Sequence, residues 1–125
     1  MVRWVLNPYT GSEATAVGSG AADGMTSGTG CVAVGFNAAG GGNFNNATAV
    51  GHAALVTNCG NDNTAIGKSA LNTFAGSNAT AVGSGAADVA GSQTNLTAVG
   101  KGALSAATSG DANTAIGALA LATTI

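Results

Sequence analysis

The sequence predicts an all-β fold, a parallel β-solenoid of seven coils with about 16 to 17 residues each. Three observations predict it: a short motif that recurs at a nearly constant spacing, a composition dominated by Ala and Gly, and strand segments without charge on either face. In a solenoid each repeat packs only against its neighbours, so a constant period is the sequence signature of this architecture.

The repeated motif is Thr-Ala-Val/Ile-Gly, with one Val in place of Thr, and it occurs seven times. Its glycines recur at a spacing of about 16 to 17 residues throughout the chain. The third residue after each glycine is Ala and the fourth is Ala or Leu, so the register extends across the whole unit. The repeat-defining residues are the glycines Gly18, Gly35, Gly51, Gly67, Gly83, Gly100 and Gly117, and the aliphatic residues before them, Val17, Val34, Val50, Ile66, Val82, Val99 and Ile116.

The length of this period indicates which elements a coil contains. Two strands of about five residues and two tight turns would fill it, so we expect strand, turn, strand and turn in each coil. A helical hairpin needs about twice the length and does not tolerate Gly at this density. Coils stacked about 4.8 Å apart would form a rod about 30 to 35 Å long.

The alternation of side chains along a strand predicts two uncharged faces. Thr and Val/Ile share one face, and Ala and Gly share the other. A strand that is uncharged on both faces is typical of a sheet covered on both sides. One face would line the interior of its own coil, and the other would need a partner. Since each coil supplies one Val or Ile and a few alanines, we expect several copies of the chain to pack together symmetrically.

Composition and charge exclude several classes of function. The chain has 28 Ala and 21 Gly among 125 residues, and its formal net charge is -2. With only 3 Lys and Arg, it lacks the basic stripe that nucleic acid requires. It has no apolar run long enough to insert into a membrane, and we expect no export signal or anchor in the sequence as given. We expect Cys31 and Cys59 to be buried thiols rather than a disulfide or metal ligands.

Four copies of the repeat carry a resemblance to known families. They read NTAIGKSAL (63–71), NATAVGSGAA (78–87), LTAVGKGAL (96–104) and NTAIGALAL (113–121). They resemble the head-domain repeats of YadA-like trimeric adhesins and the N-T-A-I-G-x-x-A-L repeats of bacteriophage tail fibres and other virion proteins. The resemblance covers residues 14–122 and implies a left-handed β-roll, assembled as a homotrimer, with a structural or adhesive role.

The sequence departs from the adhesins in ways that favour the virion branch. Those heads have shorter periods and continue into a stalk and a membrane anchor, whereas we find no heptads and no barrel strands here. The expected function is therefore a non-enzymatic virion component: a short fibre, a fibre tip or a head decoration. One alternative is the head domain of a secreted bacterial adhesin on the cell surface. Another is a filament-forming or ice-binding solenoid.

We expect no catalytic, cofactor-binding or metal-binding residues, because no nucleophile, base or ligand set is placed together by the repeat. The residue after each repeat glycine changes freely in polarity and predicts a solvent-facing ridge. Its candidate recognition residues for a host-surface receptor are Phe36, His52, Lys68 and Lys101, and the alternative is a purely solubilising surface.

Residues 1–12 are distinct from the roll domain, which we place at residues 13–125. The first segment contains Arg3, Trp4 and Tyr9. We predict that it caps the open edge of the first coil, or that these three side chains dock on another virion or fibre protein.

Overall fold

A computed structural model describes residues 10–57, 59–88, 91–106 and 109–123. Within these residues the protein forms one sheet of seven parallel strands, each paired only with the strands before and after it in the sequence. The strands are β1 (Ser12–Val17), β2 (Thr29–Val34), β3 (Thr48–Val50), β4 (Thr64–Ile66), β5 (Thr80–Val82), β6 (Thr97–Val99) and β7 (Thr114–Ile116). The chain therefore winds into a β-solenoid of about six turns, and the predicted solenoid is confirmed. Coils one to seven are named after the strands they contain.

The register of the sheet stacks equivalent positions of the repeat on top of each other. Ala49 pairs with Ala33 on one side and with Ala65 on the other, and the same column continues through all seven strands. The small variation in the length of the period is therefore taken up in the turns. The first two strands are six residues long and the other five are three residues long.

The second strand that we expected in each coil does not form in the described residues. After each repeat glycine the chain turns instead of extending. The second and fourth residues after the glycine are left-handed in every coil, as at Ser69 (φ 56°) and Leu71 (φ 51°) in coil four. Extended pairing requires negative φ, so this part of the prediction was wrong.

Hydrogen bonds to the neighbouring coil hold these left-handed residues. The N–H of Leu71 donates to the carbonyl of Ala86 at 3.0 Å, and equivalent bonds connect each of the other pairs of adjacent coils. A left-handed conformation is unfavourable for Leu or Ala by about 1 to 2 kcal/mol, so it persists only where its surroundings fix it. Stacking between coils, rather than local sequence preference, therefore maintains this half of the unit.

The core lies inside the coils and is lined by the strand alanines. The inward alanines of all seven strands are at most 6% exposed; they are Ala16, Ala33, Ala49, Ala65, Ala81, Ala98 and Ala115. The turns contribute the larger core side chains. Phe44, Phe74, Met25, Leu55, Leu71, Leu96 and Leu104 are the largest hydrophobic side chains that are fully buried. The interior is therefore filled by small residues from the sheet and large residues from the turns.

One asparagine lies within this apolar core. Asn63 is fully buried, and its amide donates to the carbonyls of Gly60 at 2.9 Å and Gly76 at 3.0 Å. Its side-chain oxygen accepts the N–H of Ala79 at 2.9 Å. These bonds satisfy both ends of the amide, so Asn63 connects its own turn, between β3 and β4, to the next turn, between β4 and β5, without leaving an unpaired polar group.

The repeat glycines are required by the distance between coils. At Gly67 φ is 130°, and a Cβ would lie 2.6 Å from the backbone of Gly83 in the next coil. Both the conformation and the contact exclude other residues. The invariance of this position within the repeat therefore reflects coil stacking rather than a binding site.

Candidate interaction surfaces

The first surface is the outward side of the strands. The residues before the repeat glycines form a continuous row that we call the Val/Ile stripe: Val17, Val34, Val50, Ile66, Val82, Val99 and Ile116. All of them are half-buried or exposed, with Ile66 40% and Ile116 73% exposed. The neighbouring outward position carries Thr, or Val32 in coil two. The structure thus places the larger aliphatic side chain of each strand outside the solenoid and Ala inside.

The Val/Ile stripe is long and uncharged. It runs across six strand-to-strand steps, which at about 4.8 Å per step amount to about 29 Å. Strands β3 to β7 contain only Thr, Ala, Val and Ile. Scattered apolar residues on a surface need no explanation, but a continuous apolar row of this length makes the Val/Ile stripe a candidate contact surface.

The second surface is the ridge formed by the residues that follow the repeat glycines: Ser19, Phe36, His52, Lys68, Ser84, Lys101 and Ala118. All seven are exposed. Their carbonyls, except that of Ala118, accept an N–H from the following coil, as in the 2.9 Å bond from Ser69 to His52. The backbone beneath the ridge is therefore fixed, while its side chains project into solvent.

Phe36 and His52 are in contact on this ridge. Their ring centroids lie 5.3 Å apart and the ring planes are inclined by 19°, which is a stacked arrangement. Phe36 is nevertheless 58% exposed. Lys68 occupies the same position on the next coil and Lys101 lies two coils beyond it. The structure therefore brings Phe36, His52 and Lys68 onto three successive coils, and Lys101 lies further along the same row.

Arg3, Trp4 and Tyr9, the candidate docking residues near the N-terminus, lie outside the described residues. Their predicted role therefore stays a prediction.

The third surface lies on the last of the seven coils. It is the downstream face of coil seven, where Ile116, Leu119 and Leu121 are all exposed, Leu119 to 66% and Leu121 to 48%. The residues that correspond to Leu121 in coils three, four and six are Leu55, Leu71 and Leu104, and each is fully buried. The difference arises because a following coil covers these three leucines.

The two cysteines belong to the core and not to a surface. Both are buried free thiols, as expected. Cys31 donates to the carbonyl of Phe44 at 2.9 Å, and Cys59 donates to the carbonyl of Phe74 at 2.8 Å. Burial raises the pKa of Cys59 from 9.0 to about 11. Since the thiolate is the reactive form, this shift lowers the reactivity of Cys59 at neutral pH.

Burial also raises the pKa of the Asp88 carboxyl above its ordinary value, and a hydrogen bond with Asn72 opposes this shift. No cluster of three or more His, Cys, Asp or Glu side chains that would hold a metal ion is found among the described residues. The described part of the chain likewise shows no pocket. The described residues also form no helix that is long and apolar enough to cross a membrane.

The chain was compared with known protein families, curated proteins and solved structures. No family model, curated protein or solved structure matches the chain.

Proposed function

We propose that this protein is a non-enzymatic structural or adhesive component of a bacteriophage virion: a short fibre, a fibre tip or a head decoration. In this proposal three copies of a left-handed roll assemble as a homotrimer and make multivalent contacts with a surface. The handedness, the number three and the virion location rest on the resemblance of the repeats to phage fibre and YadA-like head sequences.

One observation supports the proposed lateral packing of the three copies. The Val/Ile stripe presents the larger aliphatic side chain of every strand to solvent, in register over seven coils and without charge. Burying a Val or Ile side chain stabilises a structure by about 1.5 to 3 kcal/mol relative to full exposure. Since these side chains are only partly covered within one chain, a lateral partner would gain part of that free energy at each coil.

The proposal gives the ridge a separate role. In a trimer that packs through the Val/Ile stripe, three ridges remain at the surface and carry Phe36, His52 and Lys68 in parallel rows. Each ridge is a candidate site for a host-surface receptor, and three weak contacts on one rigid rod would bind more tightly than one. The proposed partner at the N-terminus is another virion or fibre protein.

The assembly is tested by light scattering on the purified chain and on the variant Ile66→Asp. We expect the chain to have a mass near three times 11.6 kDa. Ile66→Asp is expected to reduce it to the mass of one chain, because each copy would bring an uncompensated carboxylate into the contact. Lys68→Asp on the ridge is the matched control and should leave the mass unchanged.

A monodisperse monomer of the unaltered chain would contradict the proposed assembly. The virion location has its own test, which is immunogold labelling of phage particles with antibodies against the purified protein. We expect discrete labelling at the tail, the fibres or the head, and particles that contain the protein without labelling at any of these places would contradict it.

A further inference from the structure

One stretch of the ridge differs in its chemistry from the rest of the row. It consists of Phe36, His52 and Lys68, on coils two, three and four, and we call it the Phe–His–Lys patch. We propose that this patch binds an acidic saccharide, whose sugar rings pack against the two aromatic rings and whose carboxylate pairs with Lys68. The proposal rests on the proposed role of the ridge as a receptor surface, and it names the chemistry of that receptor.

The fold does not require aromatic side chains on the ridge. The ridge positions of the other coils are Ser, Lys or Ala, at Ser19, Lys68, Ser84, Lys101 and Ala118. The backbone beneath the row is held in the same way whatever the side chain is. The carbonyl of Phe36 accepts the N–H of Ala53 at 2.9 Å, and the carbonyl of Lys68 accepts the N–H of Gly85 at 2.9 Å. Since Phe36 is 58% exposed, it offers apolar area that a ligand can cover.

The two rings form an ordered platform in the absence of a ligand. Their centroids lie 5.3 Å apart, and the carbonyl of His52, like that of Phe36, is held by an N–H of the following coil at 2.9 Å. A surface that is already ordered loses less conformational entropy on binding than one that must first be ordered. The faces of aromatic rings carry partial negative charge, which attracts the weakly positive C–H groups of a sugar ring. The platform is therefore suited to the apolar face of a saccharide.

His52 adds hydrogen-bonding groups to this platform. Within the described residues its side chain stacks on Phe36 and makes no hydrogen bond. The nitrogens of an imidazole can form hydrogen bonds with hydroxyl groups. A saccharide has hydroxyl groups around every ring, whereas the hydrocarbon chain of a lipid has none. His52 therefore favours a saccharide over an apolar ligand.

Lys68 gives the patch its charge. It lies one coil beyond His52, about 4.8 Å along the solenoid axis, and its side chain makes no ion pair within the described part of the chain. No ridge position carries a carboxylate, and neither do the two residues before it or the two residues after it in any of the seven coils. Because no neighbouring carboxylate neutralises the ammonium group, an anionic ligand complements it.

The dimensions and the charge of the patch distinguish an acidic saccharide from other anions. From Phe36 to Lys68 the row advances by two coils, about 10 Å, which suits a short oligosaccharide. A small inorganic anion would contact Lys68 without using the rings. Nucleic acid requires several cations along its path, and Lys68 is the only Lys or Arg in residues 10–100. An acidic saccharide uses all three side chains.

The test is an NMR titration with His52 as its reporter. His52 is the only histidine, so its imidazole C–H signals are identified directly in protein that carries no affinity tag. The probe is the trisaccharide of galacturonic acid, and its control is the corresponding trisaccharide of galactose, which lacks the carboxylates. We expect the acidic probe to shift the His52 signals saturably, with a dissociation constant of about 1 mM at low salt, and the neutral one to bind several-fold more weakly. A fixed pH keeps titration of the imidazole out of the measurement.

Three substitutions assign the binding to the patch. Phe36→Ala should weaken it about tenfold, because half of the platform is lost. Lys68→Gln should weaken it about threefold and make it insensitive to salt. Lys101→Gln is the matched control, since it removes the same charge from the same row, where its neighbours are Ser84 and Ala118, and it should bind like the unaltered chain. The three substituted side chains are exposed, so the circular dichroism should not change.

Three results would overturn the proposal. The first is the lack of a saturable shift of the His52 signals up to about 10 mM of the acidic trisaccharide. The second is equal binding of the neutral trisaccharide, which would leave Lys68 without a role. The third is a loss of affinity in Lys101→Gln as large as that in Lys68→Gln, which would show general attraction to the protein rather than binding at the patch.

Failure of this proposal is distinguishable from failure of the proposed function. The patch lies within one chain, so Ile66→Asp should bind the acidic trisaccharide with the same affinity per ridge as the unaltered chain. Saccharide binding by an unaltered chain that proves to be a monomer would refute the trimer and support the patch. A trimer that is located on virions but leaves the His52 signals unchanged would refute the patch alone.

Discussion

The inner and outer faces of the strands carry side chains in the reverse of the usual order of size. Inside the solenoid each strand presents Ala, which is at most 6% exposed, and outside it presents Val or Ile, of which Ile116 is 73% exposed. In most proteins the larger aliphatic side chain would be the buried one. This difference between the two faces shows that the space within a coil, rather than hydrophobicity, determines which residue faces inward.

The inner face has little space because large side chains from the opposite wall of the coil fill the interior. The turns insert Leu71 and Phe74 into the same interior, and both are fully buried. Protein interiors are close-packed, so a large residue on one wall requires a small residue on the other. The outer face has no such constraint within one chain, so larger side chains fit there.

The largest expected effect compares a buried Phe with an exposed one. Phe74→Ala should reduce the free energy of unfolding by about 3 to 5 kcal/mol, because it leaves a cavity that the stacked coils cannot close. Phe36→Ala should cost less than about 1 kcal/mol, since only its stacking on His52 is lost. Urea denaturation at one fixed protein concentration measures both, so that association affects them equally. Equal losses for the two variants would contradict the assignment of inner and outer positions.

A smaller effect is expected when the inner Ala is enlarged. Ala65→Val should destabilise the chain by about 1 to 3 kcal/mol through overpacking. Thr80→Val is the matched control on the outer face, where coil two already carries Val32 at the same position, and it should cause no loss. Thermal unfolding of both variants gives the comparison. If Ala65→Val were as stable as the control, the interior would have spare room and the proposed reason for the small residues would be wrong.

The repeat allowed the solenoid and the pairing of faces to be predicted, because a constant period fixes the register and side chains alternate along a strand. It did not reveal which face turns inward, since both Ala and Val are apolar and neither face is charged. That choice depends on Phe44, Phe74 and the leucines of the turns, which fill the interior. These residues are separated from the strands in the sequence, so the sequence does not show that they pack against the strands.

The conformation of the turns was predicted less well than that of the strands. Ala and Leu after the repeat glycine are compatible with a strand, and only bonds to the adjacent coil hold them left-handed. The asparagines that precede strands β3 and β4 also differ from each other in the structure. Asn46 is exposed with φ 54°, whereas Asn63, one position nearer its glycine, is fully buried. A shift of one residue exchanges a turn position for a core position.

The smallest expected effect tests the inner face with a titrating group, the Cys59 thiol. Burial raises its pKa from 9.0 to about 11. Well below pH 9 the thiol is neutral in both the folded and the unfolded chain. Between pH 9 and pH 11 the unfolded chain loses this proton and the folded chain retains it, so the free energy of unfolding falls as the pH rises.

Between pH 8 and pH 10 the loss due to Cys59 should be about 1 kcal/mol. Urea denaturation of the unaltered chain and of Cys59→Ala, in reducing buffer at both pH values, isolates this contribution, because the two proteins differ only at residue 59. Cys59→Ala should therefore lose less stability over this interval. An identical pH dependence in the two proteins would mean that water reaches the thiol, and that the turn around Phe74 does not seal the interior as tightly as the strand alanines do.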